Sequence, residues 1–354
     1  MSGFPVPNHS QNDNVSRMTE PVHASIRTGR QRILSLQSHI LQGEADAPGS
    51  TGEFTWILSA IALAAKAIAY KVRIARIEDV LGDHGSSNVH GETQQKLDVI
   101  ANDIIMGCLG SRHSIAVVAS EEDDEPTLLR KGADGGKYCV VFDPLDGSSN
   151  LDVGVGVGTI FSILKNDPNV HDAVETLCQP GTHQVAAGYV LYGSSTVFVL
   201  TTGNGVDMFV LDPAIGSFIL VKSQLRMPAA GKIYSVNEAN RRTFPDGFGR
   251  YLDWAQTQGY SSRYIGSFVA DVHRTLLKGG VFLYPPTKKN PEGKLRLMYE
   301  ANPIAMLIEQ AGGKAITGSA AGRIMDVQPK SIHQRTSVVV GSADEVDAVV
   351  RHLS

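Results

Sequence analysis

The 354-residue chain has only three cysteines, Cys108, Cys139 and Cys178. They are widely spaced and form no Cys-x-x-Cys pair, which argues against a structural zinc or a disulfide frame and for buried free thiols. Basic residues are not in surplus either: 32 Lys and Arg stand against 36 Asp and Glu, for a net charge of −4. Nucleic acid and anionic membrane surfaces are therefore poor partners, and an anionic ligand must be met by local charge. No apolar run reaches the roughly 20 residues of a spanning helix. The longest early stretch, Trp56 to Tyr70, is broken by Ser59 and Lys66 and followed by Lys71, so it reads as a buried helix. The N-terminus lacks the features of a secretory or transit signal, which makes cytoplasm the expected location. "GVGVGT" at 154–159 is not the Gly-x-Gly-x-x-Gly of a dinucleotide fold. There is no internal repeat, low-complexity block or clear linker.

What is present suits one large domain or two modest ones, with 42% hydrophobic and 19% charged residues. Residues 1–20 are polar and Asn-rich, the composition of a mobile tail. "PGSTGEFT" at 48–55 supplies turn residues and caps before a helix in which Ile57, Ile61, Ala64 and Ile68 share one face. Residues 82–96 read as a polar loop, and "KLDVIANDIIMGCL" after them as a helix. "IAVVA" at 115–119 and "YCVVF" at 138–142 are too short for helices and read as buried strands, each followed by acids. Ligands gather at such strand ends in open α/β sheets. Residues 186–221 are strand-rich with a Gly-Asn-Gly turn, "IYSVN", "VFLY" and "SVVVG" are further strands, and "SFVADVHRTLLK" and "LMYEANPIAMLIEQAGG" are helical.

The candidate acids are Glu92, Asp98, Glu121, Glu122, Asp143, Asp146 and Glu300. Taken alone, "SEEDDEP" would be a solvated loop. Its place after an apolar run changes that, because a carboxylate at a buried strand end is costly unless something positive neutralises it. Oxygen ligands without a Cys or His cluster suit Mg2+ or Mn2+. In "FDPLDGSSN", Asp143 and Asp146 could ligate a metal while Gly147, Ser148 and Ser149 bring backbone amides to a phosphate; an Asp-capped turn opening a helix fits the motif as well. The basic and aromatic residues Arg263, Tyr264, Tyr284, Lys294, Arg296 and Tyr299 cluster late. Lys294 and Arg296 can face one way on an extended stretch and bind a second anion, or be surface charge on an edge strand. His273 reads as a helix-packing histidine.

Taken together, "NVHGETQQKLDVIAND", "SEED", "FDPLDGSSNLDV" with "GTIFSI", "AAGYVLYGSST", "LDPAIGSFIL", "NEAN", "SRYIGSFVADVHRTLLKGGVFLYP", "GKLRLMYEANPIAMLIEQAGGKA" and "IHQR" resemble, in order, class I fructose-1,6-bisphosphatase. The likeness runs from about residue 25 to 345 and is far more specific than the D-P-L-D-G-S turn shared across the inositol-phosphatase-like superfamily. It implies an α/β protein, a layered α/β/α/β/α sandwich. Behind the tail at 1–20, residues 21–215 would form an N-terminal allosteric and metal-binding region, and 216–354 a C-terminal sugar-phosphate region.

The resemblance implies hydrolysis of the 1-phosphate of fructose 1,6-bisphosphate, in gluconeogenesis or Calvin-type metabolism, with two or three Mg2+ ions per subunit, or Mn2+ in their place. Glu121, Glu122, Asp143, Asp146, Glu300 and the Leu145 carbonyl would form the metal shell. Asp98 and Glu122 would help deprotonate the attacking water, and Glu92 would sit with Asp98 by a mobile catalytic loop. Gly147, Ser148 and Ser149 would face the 1-phosphate. Asn237, Tyr264, Tyr284 and Arg263 would hold the 6-phosphate, Arg263 from a neighbouring subunit of a homotetramer; Lys294 would contact sugar and 6-phosphate, with Arg296 a further phosphate-side candidate. AMP would inhibit through Thr51, Gly52, Glu53, Thr55, Lys137 and Tyr138. The chain departs from animal members at Lys165, where they carry arginine, and at Asn240, where they carry tyrosine; the asparagine resembles bacterial and plant forms. No cysteine-bearing insertion lies between Lys165 and Ala187, so thiol control has no support. Sedoheptulose 1,7-bisphosphate as sole or second substrate, and a non-catalytic sugar-phosphate or AMP sensor, are the alternatives.

Overall fold

The apolar spacing of residues 57–69 becomes the buried face of a 22-residue helix, with Ile57, Leu58, Ile61, Ala64, Ala65 and Ile68 all covered. Each large aliphatic side chain so covered contributes about 1.5–3 kcal/mol. In the computed structural model, residues 33–45, 52–87, 93–130 and 135–353 are described. Their helices are α1 (Leu36–Ala45), α2 (Glu53–Ile74), α3 (Lys96–Gly110), α4 (Ala173–Leu177), α5 (Asp246–Thr257), α6 (Phe268–Lys278), α7 (Asn302–Gln310) and α8 (Ala343–Leu353).

Two sheets divide the chain. The eight-stranded sheet runs in the order Ser217–Lys222, Asp207–Asp212, Thr196–Thr201, Gln184–Tyr192, Val157–Lys165, Tyr138–Asp146, Ile115–Ser120, Thr127–Leu128. All its neighbours are antiparallel except Ile115–Ser120 and Tyr138–Asp146, which run parallel. That pair therefore ends on the same edge, and its two C-terminal ends bring Glu121 and Glu122 beside Asp143 and Asp146. The five-stranded sheet has the order Ser261–Ser262, Ile233–Ser235, Val281–Tyr284, Val338–Gly341, Lys314–Ile316. Residues 217–222 belong to the first sheet, so the sheets part between Lys222 and Ile233.

Alternation of side chains across each strand gives both sheets two apolar faces. One face of the first sheet, with Val118, Val140, Phe142, Phe161 and Phe198, packs on α1, α2 and α3. Its other face, with Ile160, Tyr189 and Val199, meets α6 and α7 together with Phe282, Val338 and Val340 of the second sheet. The far side of that sheet, with Tyr234, Leu283 and Val339, is covered by α5 and α8 through Phe248, Tyr251, Val346 and Val349. Helices and sheets thus alternate in five layers, the α/β/α/β/α sandwich expected from the resemblance.

The polar stretch 82–96 departs from the loop reading: residues Asp83–Ser87 and Thr93–Gln95 pair as two short antiparallel strands. Backbone pairing needs no apolar side chains, so composition carries no sign of it. His273 packs as expected, its Nδ1 2.7 Å from the Tyr189 hydroxyl in the first sheet. No helix among the described residues is long and apolar enough to cross a membrane.

Candidate active site

The acids at the strand ends are buried. Asp143, Asp146 and Glu300 offer carboxylate oxygens that all lie within 4.8 Å of one another. Glu300 arrives from a different part of the chain, a single π-helical turn (Leu297–Ala301) that leads into α7. Such turns recur at functional sites because they re-aim one side chain without ending the helix. The Arg296 amide donates to Glu300 Oε2 at 2.5 Å, and the Arg296 guanidinium pairs with Glu121 Oε1 at 2.9 Å. Arg296 is buried along with them, at 3% exposure, and is the positive charge inside an otherwise acidic centre.

Like charges confined without water raise one another's affinity for protons. Burial, then the charges of Glu121, Asp146 and Glu300, holds the Asp143 carboxyl well above the usual range. Burial, then the charges of Glu121 and Asp146, does the same to Glu300. Burial lifts Asp146 to about 7 against the opposing Val269 amide, while the Glu121 charge adds to the rise. The residues fit a divalent cation: the donors are all oxygen, three converge, and their mutual repulsion is relieved when a positive charge enters. Asp143, Asp146, Glu300 and Glu121 could hold it.

The alternative reading of Asp146 as a cap for its own turn does not hold. Gly147, at φ +77°, starts the 3-10 turn Ser148–Val153, and no side chain caps it. Asp146 Oδ2 instead accepts the Val269 amide at 2.8 Å, in the first turn of α6 and far away in sequence. Asp143 does serve its own turn, Oδ1 accepting the Leu145 amide at 2.9 Å. Asp98 opens α3, reaching back with Oδ2 to the Gln95 amide at 2.9 Å, while its buried Oδ1 has no close hydrogen-bond partner among the described residues. Burial pushes its carboxyl up to about 6; the Gln95 amide and Ser148 oppose this, and the Glu121 charge adds to it.

These groups line a cleft of about 950 Å³. Asp98, Glu121, Glu122, Leu145, Gly147, Ser148 and Ser149 line it too, and so do Asn237, Tyr264, Tyr284 and Lys294. The cleft also contains Lys289, Asn290, Arg335 and Asp271, which sequence reasoning missed. Arg335 donates from Nη1 to the Lys294 carbonyl at 2.9 Å and so braces the segment that presents Lys294. The only sequence signals were the "KKN" run before "GKLR" and the "IHQR" tail. Arg263 is exposed and outside its own chain's cleft, donating from Nη1 to the Ser262 carbonyl at 2.8 Å. Glu92 lies outside the described residues.

Family models for the fructose-1-6-bisphosphatase N-terminal domain and C-terminal domain match residues 34–223 and 227–354. The chain belongs to the fructose-1,6-bisphosphatase family, class 1. It is 50% identical to the class 1 fructose-1,6-bisphosphatase of Persephonella marina over 325 residues, which cover 92% of this chain and 99% of that one. To that of Chlorobium luteolum it is 48% identical, over 89% of this chain and 96% of the other. The crystal structure of Leishmania major fructose-1,6-bisphosphatase in holo form superposes with a TM-score of 0.85 at 41% identity, covering 91% of this chain and 99% of that one.

A second constellation in this fructose-1,6-bisphosphatase family member stands at the start of α2. Glu53 pairs with Lys137 at 2.6 Å, and the Phe54 and Tyr138 rings lie 5.9 Å apart. Tyr138 is directly opposite Lys165 on the neighbouring strand. Gly52 precedes the helix at φ +73° and Thr55 is buried. The structure thus brings together two segments that are about 80 residues apart. Thr51 lies outside the described residues. Asn240 is exposed and not among the cleft residues.

Proposed function

We propose that the protein hydrolyses the 1-phosphate of fructose 1,6-bisphosphate to give fructose 6-phosphate and phosphate. The observation that supports this reading most is the shared cleft: buried acids converge in it, and lysine, tyrosine and asparagine line the same space of about 950 Å³. A bisphosphate matches that polarity only with its 6-phosphate at the basic end and its 1-phosphate beside the acids. Apart from Glu300, the metal and nucleotide elements would lie before about residue 215 and the 6-phosphate rim after it.

Asp143, Asp146, Glu300, Glu121 and Glu122, with the Leu145 carbonyl, would hold two or three Mg2+ ions, or Mn2+ in their place. When bound, they supply positive charge that offsets the phosphoryl oxygens, the attacking water and the leaving alkoxide. Gly147, Ser148 and Ser149 cradle the 1-phosphate. Gly147 must be glycine, because its φ is +77° and an added Cβ would lie 2.7 Å from Ser267 Oγ. Asp98 lines the cleft beside Ser148 and takes a proton from the attacking water with help from Glu122. Arg296 holds Glu121 in place and limits repulsion among the acids. Asn237, Tyr264, Tyr284 and Lys294 fix the remote phosphate, which converts binding energy into orientation at the reacting end.

The pair Glu53–Lys137 beside Gly52 and Tyr138 supports AMP binding at the start of α2, where amides meet a phosphate. Trp56, Leu63 and Tyr70 recur every seven residues along α2 and are 59%, 52% and 58% exposed, an apolar seam suited to a second copy of the chain. That supports a homotetramer in which Arg263 serves a neighbour's cleft. The proposed setting is the cytoplasm, in gluconeogenesis or Calvin-type carbon metabolism.

Initial rates of phosphate release on fructose 1,6-bisphosphate and sedoheptulose 1,7-bisphosphate, with Mg2+ and with and without AMP, test the reading. Faster release from the six-carbon substrate and a drop on adding AMP are expected. Absence of release from either substrate overturns it; preference for the seven-carbon substrate moves the assignment to sedoheptulose bisphosphate.

A further inference from the structure

The two proposed phosphate cradles are tied together through one residue, Gly266. Gly266, two residues after Tyr264, donates its N–H to Asp271 Oδ2 at 3.0 Å, and its carbonyl accepts from Asn150 Nδ2 at 3.0 Å. The same Asn150 amide donates to the Gly147 carbonyl at 3.1 Å. One side chain therefore ties the first residue of the 1-phosphate cradle to the loop of the 6-phosphate rim.

Asp271 holds the rim from the other side. It is 1% exposed, and the Ile265 amide donates to both its oxygens, at 3.0 and 3.2 Å. The Ser235 hydroxyl donates to Oδ1 at 2.6 Å, at the end of the strand that leads to Asn237. Both rim segments, the one with Tyr264 and the one with Asn237, thus converge on this carboxylate in α6. The helix itself is fixed to the acid centre, because its Val269 amide donates to Asp146 at 2.8 Å. Gly266 has φ +91°, so any side chain there would strain the clamp.

We infer that Asn150 and Asp271 are positioning residues that fix the spacing between the two phosphate cradles, and that this spacing selects bisphosphates by chain length. The inference rests on the bisphosphate reading above and names what sets its specificity. One added carbon is worth only about 10- to 200-fold where a pocket merely fills or leaves space. A span held at both ends uses that difference fully, whereas a slack span lets the rim follow the longer substrate.

Calorimetric binding of six- and seven-carbon ketose bisphosphates to the full chain in EDTA, where turnover is not required, tests it on the wild type, Asn150→Ala and Asp271→Asn. Circular dichroism confirms that each variant is folded. The wild type is expected to prefer one length by about tenfold or more. Asn150→Ala should weaken binding of the favoured length by about tenfold and bring the two within about threefold, and Asp271→Asn should act in the same direction. Asn150 is half-buried, so its truncation remains informative if the fully buried Asp271 variant does not fold. A wild type without length preference, or variants that keep it, overturns the inference. A purely structural role would lower stability and leave the preference intact. Absence of phosphate release by the wild type would defeat the hydrolase reading alone, because the binding preference is measured independently of turnover.

Discussion

Among the acids of the cleft, Asp143, Asp146 and Glu300 are 5%, 7% and 5% exposed and are gripped by amides of the core, while on the proposed 6-phosphate rim, the other end of the proposed bisphosphate site, Tyr264 is 39% exposed and Lys294 stands in solvent. The acids are set by strand ends and helix starts, whereas Tyr264 and Lys294 stand on loops at 263–266 and 287–294. The difference follows from what each must do. Charge at the reacting bond has to be placed before the substrate arrives, since reorganisation during the reaction raises the barrier. A remote phosphate needs only to be caught, and exposed side chains on loops do that at little expense in stability.

The contrast is open to attack by mutation. Replacing the acid end should change turnover. Asp98→Asn is expected to lower kcat by about 10²–10⁴-fold with little change in KM, which steady-state kinetics on fructose 1,6-bisphosphate will show. An unaltered kcat would remove Asp98 from the chemistry. The rim should respond in KM instead: Lys294→Ala is expected to raise KM by about tenfold or somewhat more while kcat stays within a few-fold. A fall in kcat equal to the loss in kcat/KM would mean that the rim acts only in the transition state.

Stability should separate the ends in the opposite sense. Asp143→Asn removes one charge from a crowded, buried set, so the metal-free protein should gain about 1 kcal/mol even as activity is lost, a gain that chemical denaturation in EDTA measures. The corresponding change at the exposed Lys294 should fall within about 0.5 kcal/mol of zero.

Between the sheets, away from both ends, burial pushes the His273 imidazole down to about 4. The unfolded ring titrates near 6.5, so the unfolded chain binds the extra proton first. Stability from this histidine is fully present above about pH 6.5 and is lost as pH falls towards 4. His273→Asn should flatten the wild-type decline over that window by on the order of 1–2 kcal/mol, as denaturation curves at successive pH values will reveal.

Much of the acid end was legible in the sequence because apolar β-branched runs mark strands, and acids directly after them are too costly to be incidental. Glu121, Glu122, Asp143 and Asp146 carry that signal within a few residues of their strands. The role of Arg296 does not. Its neighbours in sequence suggest an edge strand, and only the fold puts the guanidinium against Glu121, 175 positions away. Asp271 and Asn150 were silent because they act largely by hydrogen bonds to backbone groups of loops, Asp271 on the Ile265 and Gly266 amides and Asn150 on the Gly147 and Gly266 carbonyls, which leave no pattern in composition or periodicity. The small hairpin inside 82–96 was missed because its pairing rests on backbone and not on apolar alternation.

Phosphorus NMR of fructose 1,6-bisphosphate during turnover addresses the division of labour between the two ends most directly. With Mg2+ present, the 1-phosphate resonance should vanish as free phosphate appears, the 6-phosphate resonance should persist, and the reaction should halt on EDTA and resume with excess Mg2+. Release of the 6-phosphate, or release that continues unchanged in EDTA, would contradict the assignment of the buried acids to a metal centre that acts on the 1-phosphate.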